Sequence, residues 1–341
     1  MHQFLHHSIK ISTAARLHMG FFDLHGGLGR KFGSIGLSLT APNLELTARH
    51  HDQILVTGNE AVTSRVAKIA EQLLTKLSLS KHIHLDIQKH IPEHAGLGSG
   101  TQLALAIGTV ISRLFELNLS TSEIAILCGR GNRSGIGIAA FDHGGILIDG
   151  GRLSPSQQTS QKSQAIPPLL ARYIFPEQWR ILLILDTTQP GIHGQEELTA
   201  FSQLPAFSED VAAHLCRHVL MQAMPALIEQ DLPAFGQSIQ VLQAHVGDYF
   251  APAQGGRYAS ARVGTVLEHL KNVGVDCFGQ SSWGPTGFAV FESAEAAEKQ
   301  LQQLKTIFTD SALNWMICSP NNQGAVIETI ADNQSVASMI G

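Results

Sequence analysis

The chain has 341 residues, 44% hydrophobic and 15% charged, with 32 glycines, 13 prolines and a formal charge of −5. Such a composition excludes a disordered chain, a coiled coil and a collagen-like repeat, and the length predicts two domains or one large one. The negative balance argues against nucleic acid or an anionic membrane as partner, while leaving room for a local pocket for a small anion.

Ser8–Gly20 alternates loosely and predicts an opening strand. Ser34–Thr40 and Leu44–His50 predict two more, with a turn at Pro42. Glu60–Leu77 places Val62, Val66, Ile69, Ala70, Leu73, Leu74 and Leu77 at helical spacing. His82–Gln88 alternates as a half-buried strand, and a glycine loop then leads into a long apolar helix from Ser99. Thr121–Cys128 predicts a short helix, and Phe141–Asp149 with Gly151–Leu153 a hairpin around Gly150-Gly151. The polar run Ser154–Pro168 reads as a loop, so the expected division is a domain at 1–155, a linker at 156–170 and a second domain at 171–341. RILLILDT at 180–187 is a buried strand. Helical patterns follow at Glu196–Phe201, Ala212–Met224, Leu232–Val246, Ser260–Val273 and Ala294–Phe308. Strands are expected at Cys277–Gln280, Gly287–Glu292, Asn314–Cys318 and Ala325–Thr329. Both halves are therefore α+β.

No run reaches the ~18 uninterrupted apolar residues of a membrane span. MHQFLHHSIK lacks the charged-then-apolar order of a signal peptide. Cys128, Cys216, Cys277 and Cys318 stand singly, which points to reduced thiols and a cytoplasmic protein. The 17 histidines include the adjacent pairs His6-His7 and His50-His51 but no HExxH, so a histidine-built metal site is not expected.

Four segments carry candidate chemistry. Gly96, Leu97, Gly98, Ser99, Gly100 and Thr101 precede a helix, where free amides and the positive end of the helix dipole suit a phosphate. Gly129–Gly137 carries Arg130 and Arg133 among small residues, and guanidinium grips oxyanions in a bidentate way. Arg16 and His18 share one face of the opening strand, followed by Asp23. Ser281, Ser282 and Trp283 occupy a glycine-bounded turn that could offer donors and an aromatic face.

Taken with Pro92, the glycine loop resembles the phosphate loop of the GHMP small-molecule kinases. The finer resemblance is to the β-ribofuranosylaminobenzene 5′-phosphate synthases of methanopterin biosynthesis. It rests on ARLHMGFFDLHG, HAGLGSGTQLALAIG, GRGNRSGIGIAAFDHGGILIDGG, GIHGQEEL at Gly191–Leu198, and FGQSSWGPTGFA, which together run from Ala15 to Ala289. At Asn132 and Arg133 the chain departs from that branch's pattern. The resemblance implies a GHMP-kinase-like fold, with a ribosomal-S5-domain-2-like first half and a ferredoxin-like second half. Many GHMP kinases carry an acid where this chain has Gly137, and glycine takes no proton, so a reaction without ATP is implied. That reaction joins phosphoribosyl diphosphate to the ring carbon of 4-aminobenzoate or 4-hydroxybenzoate, releasing CO₂ and pyrophosphate. An ATP-dependent kinase and a non-catalytic sugar-phosphate-binding protein are the alternatives.

The reaction sets its own demands: positive charge, Mg²⁺ and backbone donors at the departing diphosphate, and a carboxylate near an oxocarbenium-like centre. On this reading Gly96–Thr101 and Arg130 hold phosphate, and Arg16, His18, Asp23 and Asp142 are the catalytic candidates. Asp23 or Asp142 would hold Mg²⁺, and Ser281, Ser282 and Trp283 would hold the arene. The expected partners are the two small substrates and a second copy of the chain, with no nucleic acid and no membrane.

Overall fold

The computed structural model describes residues 7–154, 166–191 and 194–331, and of 195–198 the backbone alone. His2, His6, most of the expected linker and part of the Gly191–Leu198 motif lie outside the described residues.

The first half is organised by two long antiparallel strands, β1 (His7–Asp23) and β3 (Gly33–His50). β3 runs straight through Pro42, where a turn was expected. Between the pairs Ala14↔Asn43 and Arg16↔Ser38, residues 39–42 of β3 face Ala15 alone. Proline is tolerated at such a bulge because the ladder asks no N–H of it. Thr40 N donates outward instead, to Ser319 O at 3.0 Å.

Around this pair, β4 (Leu55–Gly58) and β5 (Ile83–Lys89) extend one edge, the two running parallel through α1 (Glu60–Lys76). The Asn59 side chain caps α1, and Val62, Val66, Ala70, Leu73 and Leu74 form its buried stripe. α2 (Ser99–Leu114) is buried on nearly every side, packed by the sheet, α1, α3 (Thr121–Leu127) and α4 (Ile136–Asp142).

The expected hairpin at Gly150-Gly151 does not form. β6 (Ile146–Asp149) pairs with β3 and with β8 (Leu169–Tyr173), whereas β7 (Arg152–Leu153) pairs with β2 (Arg30–Lys31). The carboxylate of Asp149 causes the separation. Its Oδ1 accepts from Gly151 N at 2.8 Å, and its Oδ2 accepts from Gly135 N at 2.8 Å and from Ser34 and Ser134 Oγ.

The second half contains β9 (Arg180–Asp186), then α5 (Gly194–Gln203), α6 (Glu209–His218), α7 (Met224–Glu229), α8 (Leu232–Gln254) and α9 (Ala261–Asn272). β10 (Cys277–Gln280), β11 (Thr286–Phe291), α10 (Ala294–Ile307) and β12 (Leu313–Cys318) complete it. Its sheet has the order β10-β11-β9-β12, all antiparallel, which is the ferredoxin-like arrangement. β9 alternates between two cores: Leu182 and Ile184 pack under α9 and α10, whereas Ile181 and Leu183 face the core shared with the first half.

The halves are interleaved. β8 pairs in the first sheet across the boundary expected at 171, and the last described strand, β13 (Val326–Ala331), returns to pair with β1. α8 bridges them: Gln243 Nε2 donates to the carbonyls of Met19 and Gln280, while its Oε1 accepts from Gln280 N at 2.8 Å. The helical run Glu209–Glu229 is long and apolar enough to cross a membrane, and here it packs on β1 and α8.

Candidate active site

The glycine loop follows β5 and ends at Gly98, the N-cap residue of α2, which has φ 81° and offers no capping side chain. The amides of Ser99 and Gly100 therefore lack intrahelical acceptors and lie at the positive end of the helix dipole, whereas Thr101 N donates back to Gly98 O at 3.0 Å. Glycine is required at two points here. A methyl group at Gly96 (φ 77°) would meet Ser281 O at 2.4 Å, and one at Gly98 would crowd Arg16 at 3.2 Å.

Three other segments are stitched to this loop. Arg16 Nη1 donates to Gly96 O at 2.6 Å, and Arg16 N to Leu97 O at 3.1 Å. Ser281 Oγ donates to Gly96 O at 2.8 Å and accepts from His18 N at 3.0 Å. Ser282 N donates to His18 O at 2.9 Å, and Gly191 N to His94 O at 2.8 Å. Segments far apart in sequence thus meet around one helix start.

His18 is 3% exposed and neither ring nitrogen has a hydrogen-bond partner. Burial, and secondarily the Arg16 guanidinium, push its pKa down to about 3. It is therefore a neutral imidazole buried beside Arg16 and the glycine loop, with one nitrogen a donor and the other an acceptor.

Beyond α2, Arg130 reaches Gly100 from the loop after α3, and Arg65 reaches it from α1 while paired with Glu93. Sequence reasoning missed Arg65, which belongs to no motif and faces the loop only because α1 packs on α2. Gly137, where the sequence resemblance implied a missing acid, packs against Thr101. A methyl there would lie 3.1 Å from Thr101 Cγ2, and its carbonyl accepts from Gln102 Nε2 at 2.7 Å. A string of aromatic rings also escaped the sequence reading: His18, Phe21, Phe32 and Phe201 touch in succession. Arg133 lies over the Phe201 ring, 4.5 Å from its centroid.

Several expected site residues lie elsewhere or are already engaged. Asp142 is exposed at the C-terminal end of α4, where its Oδ1 accepts from Thr121 Oγ1 at 2.5 Å. It shares a pocket with Ser112 and Arg113 at the far end of α2, about 20 Å of helix from the glycine loop. Asp23 lies five residues beyond His18 on β1, roughly 16 Å at strand spacing. Its Oδ1 holds the turn amides of His25 and Gly26 at 2.9 and 3.0 Å. Neither aspartate fits a Mg²⁺ site at the loop, and among the described residues no three His, Cys, Asp or Glu cluster to hold an ion. Trp283 is 4% exposed with its ring packed on Phe201 and Phe250, so it offers no open stacking face. Ser281 is fully buried and its hydroxyl is committed between β1 and the loop. Leu97 likewise is core, contributing its carbonyl. Ser99, Thr101 and Ser282 remain partly accessible.

A cavity of about 600 Å³ opens on the other flank of the loop, between Pro92–Ala95 and the ends of β9 and β12. Its carboxylates, Glu93 and Asp186, and its lack of Lys or Arg make it unsuitable for phosphate.

The GHMP kinases N terminal domain family matches residues 64–145, and the GHMP kinases C terminal family residues 223–310. A protein of Archaeoglobus fulgidus named beta-ribofuranosylphenol 5′-phosphate synthase is 34% identical over 304 residues, covering 86% of this chain and 91% of that protein. The chain belongs to the beta-ribofuranosylphenol 5′-phosphate synthase family. A second member, from Methanocaldococcus jannaschii, is 32% identical over 312 residues, covering 85% and 91% of the two chains. Among solved structures, a homoserine kinase from Cytophaga hutchinsonii superposes with a TM-score of 0.66 at 18% identity, covering 94% of this chain and 97% of that one. This last likeness concerns the fold alone.

Proposed function

We propose that the protein transfers the phosphoribosyl group of 5-phosphoribosyl 1-diphosphate to the carboxylate-bearing ring carbon of 4-hydroxybenzoate or 4-aminobenzoate. The bond from C1′ to the diphosphate oxygen breaks, with its electrons leaving on pyrophosphate, and the ring carbon bonds to C1′. The bond to the carboxyl group then breaks, its electron pair restores the aromatic ring, and CO₂ departs. The product is a β-C-riboside 5′-phosphate for methanopterin biosynthesis. The relatives are named as synthases of a ribofuranosylphenol, which makes 4-hydroxybenzoate the first acceptor to test.

The observation that carries this reading is the pairing of a helix start suited to an anion with a glycine, Gly137 against Thr101, where the resemblance to the kinases implies an acid. Phosphoryl transfer to an alcohol calls for a group to orient and deprotonate it, whereas decarboxylative ring attack calls for no strong base. Arg16 orders Gly96 and faces the substrate phosphates. Neutral His18, buried beside Arg16, backs the site without adding positive charge beside the oxocarbenium-like carbon. Mg²⁺ belongs to this reading as the counter-ion of the diphosphate substrate, ATP has no part in it, and the working unit is a cytoplasmic homodimer.

The test is incubation with phosphoribosyl diphosphate, Mg²⁺ and each aromatic acid, measuring CO₂ and pyrophosphate. Equimolar release of both is expected. ADP formation from ATP and an alcohol, with no CO₂, would sink the synthase reading in favour of a kinase. Binding of sugar phosphate with no turnover of either kind would leave a non-catalytic binder.

A further inference from the structure

Two guanidinium groups converge on the open side of Gly100. A methyl group built there would lie 2.7 Å from Arg65 Nη2 and 3.5 and 3.6 Å from Arg130 Nη1 and Nη2. The two arginines arrive from different elements, one from α1 and the other from the loop after α3, and their tips are no more than about 6 Å apart. Glu93 is bound to Arg65 through Nη1, so Nη2 is the nitrogen facing Gly100. Arg130 Nε is buried with no hydrogen-bond partner, and burial and the Arg65 charge both lower this side chain's pKa.

Glu93 already offsets part of the Arg65 charge, and a bound anion reverses the repulsion that remains between the two guanidinium groups. One phosphate is satisfied by one guanidinium fork. A diphosphate offers oxygens on two neighbouring phosphorus atoms and can engage two forks together. We infer that Arg65 and Arg130 form a diphosphate subsite at the first turn of α2, which takes the leaving group of phosphoribosyl diphosphate, while Glu93 positions Arg65. This deepens the function proposed above and rests on it for the identity of the substrate. As the bond to C1′ breaks, the electron pair moves onto the diphosphate oxygen, and two fixed guanidinium groups stabilise that charge where it develops. The ribose 5′-phosphate must then sit elsewhere in the cleft.

The experiment is calorimetric titration of the full chain and of Arg65→Ala and Arg65→Lys with sodium pyrophosphate and, separately, ribose 5-phosphate. Arg65→Ala should weaken pyrophosphate about tenfold or more, as expected for losing a charged hydrogen-bonded fork, and leave ribose 5-phosphate within about twofold. Arg65→Lys should recover part of the loss, because it restores charge without the fork. In turnover, the KM for phosphoribosyl diphosphate should rise and that for the aromatic acid should stay unchanged. Unaltered pyrophosphate affinity in Arg65→Ala, or equal losses for both ligands, would overturn the subsite. Pyrophosphate and ribose 5-phosphate binding need no turnover. A chain that shows the expected pattern yet releases no CO₂ would retain the subsite and lose only the proposed reaction. Arg65 is half-buried on α1, and an unchanged thermal midpoint would certify that the variants are folded.

Discussion

Burial and the neighbouring Arg16 guanidinium hold the imidazole of His18 neutral down to a pKa of about 3. In the unfolded chain the same ring titrates near 6.5, so below that pH the unfolded state takes up a proton that the folded state refuses. The stability His18 contributes as a neutral group is thus complete above about 6.5 and is lost as pH falls towards 3, at up to about 1.4 kcal/mol per unit. His18→Gln should therefore show a shallower fall in stability between pH 6 and 4 in urea melts. A slope equal to that of the parent would mean that the ring is protonated in the folded protein. Arg16 is a different kind of residue, because it holds the loop and, on the function proposed above, faces the substrate phosphates. Arg16→Ala should reduce kcat/KM by roughly 100-fold or more, in the range of losing a preorganised charged donor. Circular dichroism should show the fold retained, and unchanged kinetics would remove Arg16 from the site. Arg16, His18 and the glycine loop were legible because a charged pair on one strand face and a glycine cluster before a helix are local patterns. Arg65, Phe32 and Phe201 were not, since nothing in their own surroundings marks them and only packing brings them to the cleft. Asp142 shows the reverse case: an acid inside a recognisable segment that α4 points away from the loop.

At the scale of elements, the helix start works because other elements hold its loop in place. The clasp between the 281–284 turn and Gly96 belongs to both halves of the molecule, with Ser281 Oγ as its hinge pin. Ser281→Ala leaves His18 N and Gly96 O without that buried partner and should cost about 1–3 kcal/mol, read as a lowered thermal midpoint. It should also reduce turnover through loop disorder while leaving the acceptor preference unchanged. A thermal midpoint equal to the parent's would show that the hydroxyl is dispensable. Elements with a strong period or a clear cap, such as α1 and β10, were read from sequence nearly to the residue. β4 and β8 were missed because each is short and carries no alternation of its own, deriving its identity from a neighbour's unpaired edge. The hairpin at Gly150-Gly151 was misread for a related reason. Its glycines signal a turn, but Asp149 spends its carboxylate on backbone and serine groups from elsewhere, and so sends β6 and β7 to different partners.

At the scale of the whole molecule, the site lies where two lobes meet, and no cluster of acids or histidines among the described residues marks a resident ion. A metal that enters with the substrate should leave folding untouched. Excess EDTA should abolish turnover, added Mg²⁺ should restore it, and the thermal midpoint should not move. A drop in midpoint with EDTA would instead place a structural ion in the protein. The lobes are joined twice, once where β8 leads into β9 and again where β12 leads back to β13. β13 lies antiparallel to the start of β1, with His7 directly opposite Ala331. These neighbours are a strand spacing apart, about 5 Å, so the order in which the chain is threaded need not govern the architecture. A short Gly/Ser tether from Ala331 to His7 would close that gap, and new ends could be opened at the exposed Gly274, between α9 and β10. Such a circular permutant should fold to the same near- and far-ultraviolet spectra and keep the parent's turnover. A permutant that folds but does not turn over would show that the tether strains β1, and with it the Arg16 and His18 side chains that this strand carries into the cleft.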